Sequence, residues 1–360
     1  MKIAVVAVTK QGIKLAERTA ELLFAAGEHN LVIYIPEKFS RSQLGEQWKT
    51  YHQPLRELFG ELFAEYDGIV CIMALGIVIR LVAPYVKKKT TDPAIVVMDE
   101  LGKNVISALS GHWGGANSLA LQIAEALQAN PVITTATDVN GLPAIEVLAQ
   151  ENGWSVEPFE LVKKVNADIV HGNKIIIYSE APLDLEPTEN ILIEDFARYS
   201  PEQLEESRVI LVTNLSAGSF PPNILFLRPQ NLCIGIGCRR GVSAYEIKVA
   251  IMSALEEAGR AIGSVRSLTS VDIKSNETGL LETAEELNLP VEFFTRKAIQ
   301  ALQSIRKDDF AFSEFVNDKI GVGGVCEPVA IMGAGETSKL ILPKTKYGKV
   351  TIALAEGDWQ

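Results

Sequence analysis

Three short segments place reactive or charged side chains beside glycines where a strand gives way to a helix. The first is Met73-Ala74-Leu75-Gly76-Ile77-Val78-Ile79-Arg80. Glycine lets a ligand approach the backbone there, and a helix N-terminus offers free N–H groups and partial positive charge. Arg80 could then clamp a carboxylate in bidentate fashion. The same residues also suit a plain strand-to-helix turn, with Arg80 snorkelling or paired to Asp92 or Asp99. The second segment is Ser110-Gly111-His112-Trp113-Gly114-Gly115-Ala116-Asn117. His112 has an unperturbed pKa near neutrality, which makes it a candidate general base or acid. The N–H groups after Gly114 could hold an oxyanion. Alternatively the glycines serve the turn, and His112 caps the helix or binds backbone. The third is Cys233-Ile234-Gly235-Ile236-Gly237-Cys238-Arg239-Arg240-Gly241-Val242-Ser243. Arg239 and Arg240 add charge where a helix start already favours anions. The plain alternative is a turn with solvated arginines and Ser243 as N-cap.

Smaller features sit at other turns. Asp272-Ile273-Lys274-Ser275-Asn276-Glu277 puts charges between a strand and a helix, with Ser275 or Asn276 as a capping alternative. Glu327, in Val325-Cys326-Glu327-Pro328, suits the first turn of a helix by charge alone. The four cysteines, Cys71, Cys233, Cys238 and Cys326, form no C-x-x-C pair and match no zinc spacing. Cys238 has no histidine in its region to activate it, so an inert thiol is expected.

The elements that must position these groups follow from periodicity. Over 1–150, short β-branched runs alternate with helical patterns, which predicts βα units and a mainly parallel sheet. Strands are expected over 2–8, 31–35, 68–73, 94–98, 105–109 and 132–135, and helices over 12–26, 53–64, 76–86, 115–129 and 142–151. A hairpin is expected near Leu101-Gly102, with the His112 loop beyond it at the carboxyl ends of strands, where open α/β sheets bind ligands. Over 151–230 the texture becomes a small α/β module, with a helix over 159–167, an acidic proline-bearing loop over 180–189, and strands over 174–179, 208–213 and 223–227. From 231 the alternation returns and ends in a hairpin around Lys346-Tyr347-Gly348. The expected fold is therefore α/β: a mainly parallel-sheet, Rossmann-like N-terminal domain over 1–150, a small α/β middle module over 151–230 and an α/β C-terminal domain over 231–360.

The composition bounds the function. The 360 residues are 47% hydrophobic and carry a net charge of −11. Such a chain has enough apolar material for several cores, and its acidic balance argues against a general nucleic-acid binder while leaving room for a local basic pocket for an anionic small molecule. The longest apolar stretch, 69–79, is too short for a bilayer, which needs about 20 residues. The first residues read as a buried strand rather than a signal peptide, so a cytoplasmic location is expected.

Taken together, the segments resemble the CbiG family of cobalamin-biosynthesis proteins, the cobalt-precorrin-5A hydrolases of the anaerobic vitamin B12 pathway. The resemblance rests on the run from Ala74 to Pro84, on Thr91-Asp92-Pro93 with Val97-Met98-Asp99-Glu100, and on Ile106 to Asn117. It also rests on Gly235-Ile236-Gly237-Cys238-Arg239-Arg240-Gly241, on Asp272-Ile273-Lys274 and on Val325-Cys326-Glu327-Pro328. Trp113 stands where the family more often has leucine, and Gly323-Gly324 with Cys326 replaces a more serine-like stretch. The resemblance implies that water opens a δ-lactone left by ring contraction, and that a two-carbon fragment then leaves as acetaldehyde to give cobalt-precorrin-5B. Cobalt arrives inside the substrate, so no cofactor and no metal ligands are expected of the protein.

That chemistry needs an activated water, an oxyanion or acid site and a base. His112, Ser110 and Glu327 are the catalytic candidates. The substrate-binding candidates are Gly76, Arg80, Asp92, Gly111, Gly114, Gly115, Asn117, Gly237, Cys238, Arg239, Arg240 and Lys274. Arg80, Arg239 and Arg240 would line one cleft and anchor the carboxylate arms of the macrocycle. The expected partner is this corrinoid, with neither nucleic acid nor membrane; a homodimer and transient contacts with neighbouring pathway enzymes are compatible with it. Two other classes stand beside the hydrolase. One is a non-catalytic corrinoid carrier of the same pathway. The other is a nucleotide-binding dehydrogenase, which the glycines fit poorly, because they run G-x-G-x-x-x-G with the third one place late.

Overall fold

Seven short strands of the first 150 residues assemble in the order β3-β2-β1-β4-β5-β6-β7. They are β1 (Lys2–Ala7), β2 (Asn30–Pro36), β3 (Trp48–Tyr51), β4 (Gly68–Ile72), β5 (Ala94–Met98), β6 (Asn104–Leu109) and β7 (Asn130–Val132). The computed structural model describes residues 1–25, 30–40, 45–181, 183, 185, 187–201, 208–306, 309–314, 318, 321–335 and 337–359. The expected helix end at Ala26 and parts of the expected loop over 180–189 lie outside the described residues. The described residues form two compact units, Met1–Val147 and Leu148–Gln360.

In the first unit β1, β4 and β5 are buried on both faces, which is why they read as unbroken apolar runs. Ile3, Val5 and Ala7 of β1 join a core under the helices Lys10–Ala25 and Ala116–Leu127. Ala4 and Val6 join the opposite core, under the helices Leu55–Glu65 and Leu75–Val82. Each fully buried Ile or Val contributes about 1.5–3 kcal/mol, so this alternation fixes the register of the central strand. Neighbouring strands are parallel except β5 and β6. These two form the expected hairpin, in which the Asp99 carboxylate accepts the N–H groups of Leu101, Lys103 and Asn104. The helix expected over 76–86 stops at Val82; Ala83 keeps helical dihedrals, but Pro84 has no N–H with which to continue the ladder.

The second unit carries two sheets. The first has the order β10-β9-β11-β12-β8, from β8 (Ser155–Glu157), β9 (Ile175–Ser179), β10 (Ile191–Asp195), β11 (Arg208–Val212) and β12 (Leu225–Arg228). The other has the order β15-β14-β13-β17-β16, from β13 (Leu232–Cys238), β14 (Val265–Val271), β15 (Val291–Phe294), β16 (Lys339–Tyr347) and β17 (Val350–Glu356). β13, β14 and β15 are parallel, while β17 runs antiparallel to β13 and pairs with β16 as the expected terminal hairpin. The three sheets make an α/β protein, as expected. No helix among the described residues is long and apolar enough to cross a membrane.

Candidate functional sites

The reversal of β6 decides where the His112 loop lies. β6 runs antiparallel to β5, with Leu109 beside Ile95 and Val105 beside Met98. Its carboxyl end therefore meets the amino ends of β1 and β5. A Cβ at Gly115 would lie 3.8 Å from Met1, and one at Gly114 would lie 3.2 Å from the Asp92 carbonyl oxygen. The expectation that this loop borders the ligand-binding carboxyl edge is thus corrected. The loop sits at the opposite edge, roughly 17 Å away at about 3.3 Å per residue along β5.

The loop is built around its own hydrogen bonds. Gly115 takes a left-handed φ of 83° ahead of the helix Ala116–Leu127. The N–H groups of Gly115, Ala116 and Asn117 donate to the carbonyls of His112, Ser110 and Gly111. The proposed oxyanion donors at this helix start are therefore already engaged. A Cβ at Gly114 would lie 2.4 Å from the Ser110 Cβ, so only glycine fits there. His112 Nδ1 is 3.0 Å from Glu146 Oε1, and Nε2 is 2.7 Å from Asp138 Oδ2. Ionised carboxylates only accept, so this pairing favours the imidazolium form, in which both ring nitrogens donate. The Glu146 hydrogen bond, opposed by burial and joined by the Asp138 bond, pushes its pKa above the usual histidine range. Asn117 belongs to the same cluster. Ser107 Oγ donates to its Oδ1 at 2.6 Å, and its Nδ2 donates to Thr135 Oγ1 at 2.8 Å and to Asp138 Oδ2 at 3.1 Å. The buried Ser110 hydroxyl has no hydrogen-bond partner among the described residues.

A cavity of about 410 Å³ lies at the other edge of this sheet, bordered by Thr9, Met73, Leu75, Ile77, Asp99 and Glu100. The sequence singled out the segment Met73 to Arg80 beside it, with Gly76 and Arg80 as the candidates, and gave no role to Thr9 or Glu100. Arg80 is exposed on the last turn of its helix. Neither expected acidic partner holds it. Asp99 is bound by its turn, and both oxygens of the buried Asp92 accept the Lys87 N–H, at 3.1 and 2.9 Å. Asp92 thus closes its own loop rather than facing a ligand.

The third arrangement belongs to the last sheet. A cavity of about 420 Å³ opens at the carboxyl ends of β13 and β14 and is lined by Arg239, Lys274, Lys344, Lys346 and Lys349, among others. No acidic side chain is among the described residues that line it. Val325 and Cys326, at the start of the helix Cys326–Ala334, also border it. That helix presses on β13 so closely that a Cβ at Gly235 would fall 1.8 Å from the Cys326 carbonyl oxygen. Gly237 and Cys238 line the cavity as well. Burial pushes the Cys238 thiol up and takes that of Cys326 to about 11, so neither is a ready nucleophile.

Glu277, buried beneath the adjoining turns, ties two of them together. Its Oε1 accepts the Gly241 N–H at 2.6 Å and its Oε2 accepts from Lys274 Nζ at 2.9 Å. The Lys274 bond, against some burial, holds the Glu277 carboxyl below the usual range. Glu277, not Ser275 or Asn276, occupies the cap position of the helix Thr278–Leu287. Ser243 caps the helix Ala244–Glu257 as expected, in a reciprocal capping box with Glu246.

Two further expectations are corrected here. Arg239 and Arg240 line different cavities, the second bounded by the starts of the helices Ala244–Glu257 and Thr278–Leu287, so the three arginines do not share one cleft. Glu327 is buried, and its two oxygens accept the N–H groups of Ala311 and Lys344, at 2.8 and 2.9 Å. Its carboxylate is committed to backbone and shapes the wall of the basic cavity. Sequence reasoning missed Lys344, Lys346 and Lys349, although 344 and 346 alternate on one strand and so share a face. It also missed Asp138 and Glu146. Among the described residues no group of three or more His, Cys, Asp or Glu is placed to hold a metal.

Comparison with known proteins gives one consistent answer. The family models "Cobalamin synthesis G N-terminal", "Cobalamin biosynthesis central region" and "Cobalamin synthesis G C-terminus" match residues 57–138, 143–229 and 232–355. The chain is 35% identical to the cobalt-precorrin-5A hydrolase of Priestia megaterium, over 98% of this chain and 94% of that one. It is 33% identical to the cobalt-precorrin-5A hydrolase of Salmonella typhimurium, over 91% and 90%. The crystal structure of CobE, a protein of the cobalamin biosynthetic pathway, aligns at 29% identity with a TM-score of 0.33, over 37% of this chain and 94% of that one. The chain belongs to the CbiG family of cobalamin-biosynthesis proteins.

Proposed function

We propose that this protein is a cobalt-precorrin-5A hydrolase of anaerobic cobalamin biosynthesis, built from domains over 1–150, 151–230 and 231–360. The observation that carries the reading is the basic cavity of the last sheet in a chain of net charge −11. Five cations on one concave wall suit a macrocycle ringed by carboxylates, which charge-assisted hydrogen bonds hold strongly. Arg239, Lys344 and Lys346 supply the anchoring charge. Lys274 and Lys349 lend theirs through geometry set by Glu277 and Glu246. Cobalt enters as part of the substrate.

The reaction opens the δ-lactone with water and releases the two-carbon fragment as acetaldehyde, giving cobalt-precorrin-5B. His112, whose two carboxylate partners favour its protonated form, suits a clamp or a proton donor better than the base. The test is direct. Pure protein incubated with cobalt-precorrin-5A should release one acetaldehyde per substrate consumed. Binding without release would favour the carrier reading instead.

A further inference from the structure

Five cations line the basic cavity, but they are not held alike. Its floor is a row of four neighbouring strands in the order β14-β13-β17-β16. Gly235 pairs with Thr269 in the parallel register of β13 and β14, which carries Gly237 level with Val271. Gly237 pairs with Thr351, and Thr351 with Lys346. At about 4.8 Å per strand the row is roughly 14 Å wide. Lys344 and Lys346 stand at its β16 end. At the other end the chain leaves β14 through the single turn Asp272–Lys274, and the Glu277 N–H donates to the Lys274 carbonyl at 3.0 Å. This turn brings the Glu277 carboxylate to 2.9 Å from Lys274 Nζ. The two side chains are 12% and 9% exposed, whereas those of the Lys349–Glu246 pair are 57% and 42% exposed. An exposed pair restrains its lysine little, while a buried one fixes where the ammonium points. The Gly241 N–H on the other Glu277 oxygen keeps that carboxylate in place. A lysine ammonium has three N–H donors, so Glu277 leaves two for a ligand. Val271 and Ile273 line the cavity beside them with apolar surface.

We propose that Lys274 is the electrophilic residue of the lactone opening, donating to the oxyanion as it forms, with Glu277 as its positioning residue. The proposal deepens the hydrolase reading and rests on it. The lactone is an uncharged edge of a macrocycle otherwise ringed by carboxylates. It suits the β14 end, where the cation is already balanced by Glu277 and flanked by apolar side chains. The carboxylate arms suit the β16 end, where Lys344 and Lys346 stand together. A donor fixed before the reaction is the kind that stabilises developing charge most, because it need not reorganise. The water oxygen bonds to the lactone carbonyl carbon, and the carbonyl electron pair moves onto oxygen, where the Lys274 N–H groups hold it. The carbonyl then re-forms and the acyl C–O bond breaks. The departing alkoxide gains the proton that the water lost, leaving a carboxylic acid and an alcohol. Lys274 keeps its own proton throughout, and no oxidant or reductant is consumed.

The experiment follows consumption of cobalt-precorrin-5A and release of acetaldehyde by wild type, K274M, K274R, E277Q and the double variant K274M/E277Q, with melting temperatures taken alongside. K274M should lower kcat for consumption about 100-fold or more with KM within about 3-fold, the scale of one oxyanion donor lost and the split expected of a contact made only in the transition state. K274R, which keeps the charge and the donors, should recover part of that loss. E277Q can still accept the Gly241 N–H but no longer holds the ammonium, and should lower kcat about 10-fold by misplacing it. The double variant should be no slower than K274M, because Glu277 acts through Lys274; a merely structural glutamate would add its own loss. An active wild type with K274M above half its kcat, or with its loss confined to KM, overturns the electrophile and leaves Lys274 as an anchor. Additive losses in the double variant overturn the positioning role. Should K274M fail to fold, E277Q with wild-type kcat overturns the proposal and E277Q with lowered kcat and unchanged KM upholds it. A wild type that releases no acetaldehyde overturns the hydrolase reading, and this proposal with it.

Discussion

The two glycine-rich segments, Ser110 to Asn117 after β6 and Gly235 to Ser243 at the end of β13 and beyond it, have similar compositions and opposite uses. In the first, the N–H groups of Gly115, Ala116 and Asn117 are engaged within the turn, the imidazole meets Asp138 and Glu146, and the Asn117 side chain meets Ser107, Thr135 and Asp138. In the second, Glu277 secures the Gly241 amide from beneath, and Arg239 is left exposed beside a cavity rimmed by lysines. Glycine, histidine and arginine at a strand-to-helix turn thus mark a tight backbone in both cases. Strand direction and the partners brought from elsewhere decide whether the turn faces inward or outward. β6 and β7 run opposite to the other strands of their sheet, and the loop after β6 spends its polar groups on Thr135, Asp138 and Glu146 beyond β7.

Reversing charge on the cavity wall beside the outward turn tests this contrast most strongly. Lys344→Glu with Lys346→Glu should weaken binding of the carboxylate-rich substrate roughly 100-fold, the scale of two charge-assisted hydrogen bonds lost. Titration of substrate into the double variant, at two salt concentrations, measures it. The fold should survive, because Lys346 is exposed and Lys344 half-buried. Unchanged affinity would remove the cavity from substrate binding.

The inward turn should respond in stability instead. His112→Ala should cost about 2 kcal/mol, the scale of hydrogen bonds to charged groups discounted for the partial exposure of Asp138. The effect should depend on pH in a fixed direction. The folded-state pKa of His112 is raised, so its stabilisation is fully present below the unfolded value of about 6.5 and is lost as pH rises through the folded value. Urea unfolding of wild type and variant at pH 6 and pH 9 should therefore show the larger difference at pH 6. A larger difference at pH 9 would contradict a ring held as imidazolium.

How far the sequence was legible follows the same contrast between inward and outward groups. Strands buried on both faces, such as β1, β4 and β5, carry apolar runs that can be read directly. β3, β8 and β10 escaped notice because each is a sheet edge with partly exposed residues, which replace the apolar run by mixed ones such as Trp48-Lys49-Thr50-Tyr51. In the basic cavity, Gly237, Cys238, Arg239 and Lys274 were legible because they sit at the end of a strand or on the turn that follows one. Lys344, Lys346 and Lys349 were not, because the terminal hairpin brings them back beside β13 from more than a hundred residues away. His112 was legible as an unusual residue, but its use was not. Its partners Asp138 and Glu146 lie on two later segments, and nothing in the local sequence announces that two carboxylates will meet one ring.

Ser110 offers the finest test of the inward turn. It has a φ of 57°, a left-handed conformation that costs a residue with a Cβ about 1 kcal/mol or more. Its hydroxyl is buried without a described partner, a second cost of the same order. If the turn exists only to hold the sheet, both costs are removable. Ser110→Gly should then raise stability by about 1 kcal/mol, the relieved strain and desolvation being partly offset by the greater freedom of glycine in the unfolded chain. Thermal unfolding measures the gain, and acetaldehyde release from the same preparation should be unchanged. A variant that is more stable but has lost turnover would show that the orphaned hydroxyl is kept for the reaction, and would return this turn to the outward-facing class.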